Sequence, residues 1–74
     1  MAYPEFTFDA EADAAYVAFR EVGRGAAARN VPVEDAAGQV GVVLDYSADG
    51  ELLGVEILGA ARSLDPALLD RYRG

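Results

Sequence analysis

Apolar and polar residues alternate along the first three-quarters of the chain, the period of two that marks a half-buried β-strand. From Glu5 to Asp9, Phe6 and Phe8 fall on one side and Thr7 on the other. The segment Asp9-Ala10-Glu11-Ala12-Asp13 interrupts the pattern and reads as a connection. A second strand is predicted over 15–21, with Ala15, Val17 and Phe19 opposite Tyr16, Ala18 and Arg20. These two strands are expected to form a hairpin with a five-residue loop. After the glycine-punctuated stretch Val22-Gly23-Arg24-Gly25-Ala26, a third strand is predicted over 28–34, carrying Val31 and Val33. Pro32 has no N–H to give to a ladder, which places this strand at a sheet edge or at a bulge.

The clearest element is a hairpin from Val40 to Leu58. Val40, Val42, Leu44 and Tyr46 alternate, Ser47-Ala48-Asp49-Gly50 turns, and Leu52 to Leu58 returns. Asp49-Gly50 suits a type I turn followed by a left-handed glycine. Ser47 then faces Glu51, and counting back pairs Val42 with Glu56 and Val43 with Val55. In that register Asp45 and Glu56 occupy opposite faces, and both faces are apolar with one acid each. A one-residue slip would reverse the placement of Glu56. A short helix over 64–73 closes the chain, capped by Ser63 or Asp65, with Pro66 in its first turn. The expected fold is α+β and mainly β: an antiparallel meander of about five strands with one short C-terminal helix packed on one face. Leu64, Leu68, Leu69 and Tyr72 can cover part of one face only. The other face, or an edge, is therefore expected to meet another copy or another protein.

Composition narrows the chemistry. The 74 residues make one small domain, 1–74, whose own core is marginal. With no Cys and no His, disulfides, thiolate sites, the commonest metal ligand and the usual general base are missing. All six basic residues are Arg, so a Schiff-base lysine is excluded. A net charge of -7 repels a phosphate backbone, and nucleic-acid binding by the chain alone is not expected. The N-terminus lacks a basic segment followed by an apolar one, and no apolar run approaches a membrane span. A bacterial cytoplasmic protein without membrane attachment is the expectation.

Two stretches resemble the signatures of a small prokaryotic family known only as domain of unknown function 2283. The first is Phe8-Asp9-Ala10-Glu11-Ala12-Asp13-Ala14-Ala15-Tyr16-Val17-Ala18-Phe19. The second is Asp45-Tyr46-Ser47-Ala48-Asp49-Gly50-Glu51-Leu52-Leu53-Gly54-Val55-Glu56-Ile57-Leu58. The resemblance covers about residues 5 to 60. It implies the β-rich fold and no assigned activity. Some family members lie in genomes beside small toxin-like proteins, so the resemblance also implies an antitoxin-like, partner-binding role. The alanine- and arginine-rich loop departs from the family's more polar version, and the C-terminal helix lies outside the shared motifs.

Candidate site residues are few. Asp9, Glu11 and Asp13 have the alternate spacing that begins a calcium loop. Ala14 stands where that loop needs Gly and Arg20 where it needs Glu, so these acids are read as shaping the turn, and no metal site is expected. Glu56, set among apolar neighbours, is a candidate general base or, paired with an Arg or with Tyr16 or Tyr46, a structural or dimer contact. Glu56, Asp45, Tyr16 and Tyr46 are the ligand or interface candidates. No catalytic constellation and no cofactor are indicated, since Ser and Thr hydroxyls have no His to activate them. A non-enzymatic interaction or self-associating module is expected, with a homodimer or a protein partner. A small-ligand or metal binder, or an enzyme using Glu56 with nearby acids and tyrosines, is the alternative.

Overall fold

Alternation produces strands here because each strand has one side to bury. In a computed structural model the strands are β1 (Glu5–Asp9), β2 (Ala14–Ala18), β3 (Arg29–Glu34), β4 (Val40–Tyr46) and β5 (Leu52–Leu58). Two short helices follow, α1 (Ala60–Ser63) and α2 (Pro66–Tyr72). The structure describes residues 2–73; Met1 and Gly74, the ends of the expected domain, lie outside it. All pairings are antiparallel, in one five-stranded sheet of order β1-β2-β5-β4-β3. The antiparallel five-stranded sheet is as expected, but its order is not sequential. Strands β3, β4 and β5 form a meander, and the β1–β2 hairpin docks on β5 because the long loop after β2 carries the chain to the far edge. The β1–β2 loop is one residue shorter than expected, since Asp9 still pairs with Ala14.

Strand β3 is an edge strand, and its register also shifts between Val33 and Glu34, so both devices anticipated from Pro32 are present. The β4–β5 turn closes as predicted: the Ser47 N–H donates to the Glu51 carbonyl at 2.9 Å, and Gly50 takes a φ of 87°.

One step beyond that turn the predicted register fails. Tyr46 pairs with Leu52 but Asp45 pairs with Gly54, leaving Leu53 as an extra residue in β5. The bulge carries Leu53 to complete burial, 0% exposed, a gain of apolar burial that an unbroken ladder would forgo. Val42 consequently pairs with Ile57 and Val43 with Glu56, in place of the predicted Glu56 and Val55.

Two sheet faces of different character result. One carries Phe6, Phe8, Ala15, Val17, Val55, Ile57, Leu44, Val42, Val31 and Val33, aligned by direct cross-strand pairing. The other carries Thr7, Tyr16, Glu56 and Val43, with Asn30, Asp45 and Gly54 in the next row. The prediction of two equally apolar faces is thus corrected: the bulge sorts the acids to one side.

The helices pack on the apolar face at one end of the sheet. Ala15, Ala60 and Leu69 are buried together, with Phe6, Phe8, Ile57 and Leu64 against them. The ring of Phe6 meets Tyr72 edge-on at 4.7 Å. Helix α2 starts where expected, with Asp65 as its cap: the Asp65 Oδ1 accepts from the Ala67 N–H at 2.9 Å, and Pro66 opens the helix. Ser63 belongs instead to α1, a single extra turn beyond the one helix predicted, launched by Gly59 at φ 64°. The main helix contacts are α2 with β1, and α1 with β2 and β5. Among the described residues no helix is long and apolar enough to cross a membrane.

Candidate functional site

The polar face gathers most of the candidate residues. Tyr16, at the middle of β2, stands between Thr7 on β1 and Glu56 on β5. Its side chain leans across β5 to β4, where the hydroxyl donates to Asp45 Oδ2 at 3.0 Å. The second carboxylate oxygen of Asp45 accepts from Asn30 Nδ2 at 2.6 Å. Both oxygens of Asp45 are thus engaged, one by a donor from the adjacent β3 and one by a donor reaching from β2 across β5.

Gly54 makes the crossing possible. A Cβ there would lie 2.3 Å from the Tyr16 hydroxyl oxygen, and the ring occupies the space a side chain would fill. A glycine inside an otherwise apolar strand signals such a close approach. Burial first, then the hydrogen bond to Asp45 and the charges of Asp45 and Glu56, push the Tyr16 phenol up to about 12. Tyr16 is therefore a fixed donor near neutral pH.

Asp45 and Glu56 share this face, contrary to the predicted register. Asp45 faces Gly54 and Glu56 faces Val43, so the two acids are diagonal neighbours. Among the described residues Glu56 makes no side-chain hydrogen bond or ion pair. It borders a hollow of about 300 Å³ shared with Thr7, Asp9, Ala14 and Tyr16. The small side chain of Ala14 leaves that space open. Chemically the hollow offers one free carboxylate acceptor and one tyrosine whose proton is already committed, which suits accepting a donor or a cation and offers no nucleophile.

The other predicted residues lie elsewhere. Asp9 Oδ1 accepts from the Glu11 and Ala12 N–H groups at 3.0 and 3.2 Å, closing the β1–β2 turn. Asp13, at φ 53°, reaches the helices: its Oδ1 accepts from the Ala61 N–H at 2.8 Å and its carbonyl from the Ala60 N–H at 3.0 Å. Glu11 is exposed. Tyr46 lies on the apolar face, with the Arg29 guanidinium 5.1 Å from its ring centre. No group of three or more acids disposed to hold a metal occurs among the described residues.

Sequence reasoning missed Asn30 and Gly54. Both left a signal: Asn30 alternates with Val31 and so points away from the apolar face, and Gly54 interrupts an apolar strand.

No curated protein and no solved structure matches the chain. One family model does, over residues 5–60, under the description Protein of unknown function (DUF2283). That span holds all five strands, the bulge and the Tyr16–Asp45–Asn30 cluster, and the chain belongs to the DUF2283 family of proteins of unknown function.

Proposed function

We propose that the protein is a non-enzymatic interaction module whose working surface is the part of the apolar face lying on β3 and β4. The observation that carries this reading is the placement of exposed apolar side chains. Val33 is 43% exposed on the helix-bearing face, beside half-buried Val31, Val42 and Leu44. Both short helices are spent on the β1–β2–β5 end. Contiguous apolar surface of this kind marks interaction sites in soluble proteins. The polar face supports the same reading by contrast, since the Tyr16 hydroxyl and Asn30 are both committed to Asp45 and no activated nucleophile stands beside Glu56.

A photo-crosslinking amino acid placed at Val33, in the full chain expressed in cells, tests the surface. An adduct at Val33 and none from the same group at Thr7, on the polar face, is expected. Absence of any adduct at Val33, or equal labelling from Thr7, would remove this reading.

A further inference from the structure

Resting on that reading, we infer that the partner on the β3–β4 surface is a second copy of this chain, related by a two-fold axis that runs roughly along the strands. Area is the first argument. A monomer of 7.8 kDa typically exposes about 4,400 Å², whereas this chain exposes 5133 Å². The surplus, roughly 750 Å², is close to the ~800 Å² that each partner contributes to a stable protein interface. The molecule is one sheet with a partial second layer, 35 × 35 × 17 Å, and it has the surface of a larger protein cut open.

Shape is the second argument. Sheets stack about 10 Å apart face to face, and a helix is about 10–12 Å across. The step from the open half of the sheet up to the helix layer therefore has the height of one sheet-on-sheet spacing. Two copies can lay their open halves together, with Val31, Val33, Val42 and Leu44 of each in the shared layer. Each copy's helices then lie just beyond the partner's β3 edge. The same patch serves both sides, as an isologous interface requires, and the arrangement closes at two copies.

Light scattering of the purified full chain over a wide concentration range, read beside the Val33 crosslink, tests the inference. Twice the monomer mass is expected. Val33→Asp is expected to weaken association at least tenfold while Thr7→Asp leaves it unchanged, with circular dichroism confirming the strand content of each. Val31→Asp, on the same strand and the same face, supplies a second variant should the first fail to fold. A monomer at every concentration, with an adduct of another mass at Val33, overturns the second copy and leaves the interaction surface standing. A monomer with no adduct overturns both. A dimer indifferent to Val33→Asp and Val31→Asp overturns the proposed face.

Discussion

Tyr16 is held as a donor by its surroundings, and its titration carries that constraint into stability. Its ionisation is pushed up to about 12, through burial, the bond to Asp45 and the nearby charges of Asp45 and Glu56. An unfolded chain ionises tyrosine near pH 10. Because the native value is the higher one, this contribution is whole below pH 10 and is lost as pH rises through 12. Absorbance titration at 295 nm is expected to show a late phenolate step near pH 12 that vanishes in Tyr16→Phe. The variant should also lose less stability than the parent between pH 10 and 12. Identical alkaline profiles would mean that the Tyr16 hydroxyl is not bound to Asp45 in solution.

Among the elements, β5 decides how the others are read. A single added residue, Leu53, turns the strand after its turn and brings Asp45 level with Gly54. Gly54→Ala would drive a methyl group into the Tyr16 ring, and overpacking of this kind costs about 1–3 kcal/mol. Urea unfolding should show that loss in the parent and much less of it in a Tyr16→Ala background, where the ring is gone. Equal losses in both would place the penalty in the β5 backbone. The strands themselves were legible from period-two alternation, and the turn from Asp49-Gly50, because both are local. That β3 lies at an edge or carries a bulge followed from Pro32 for the same reason, and it does both. The shared face of Asp45 and Glu56 was not legible, because a bulge is chosen by what Leu53 gains in burial across the sheet. Helix α1 escaped for a similar reason: four residues hold one turn because the distant Asp13 supplies both a side-chain and a backbone acceptor.

At the scale of the whole molecule, charge and apolar surface oppose each other. Each chain carries a net -7, so in the proposed dimer the two copies would repel by charge while their apolar faces attract. Salt shortens the reach of that repulsion, with a Debye length falling from about 30 Å at 0.01 M to about 8 Å at 0.15 M. The dissociation constant measured by sedimentation is therefore expected to fall as sodium chloride rises across that range. A constant that rises instead would point to ion pairs holding the copies together.

Pro32 sits on the outer strand, and its consequence concerns what the sheet is prevented from becoming. A sheet with free edges can recruit further strands without limit, which is how fibres grow. On the β3 side a residue with no N–H and the shift at Val33–Glu34 spoil the template. On the β1 side the strand has only five residues, with Glu5 and Asp9 at its two ends. Sideways growth is thereby discouraged at both margins, which leaves stacking, a way of associating that ends once the faces are covered. A protein that associates through one face, as proposed for this one, can stay finite by this means.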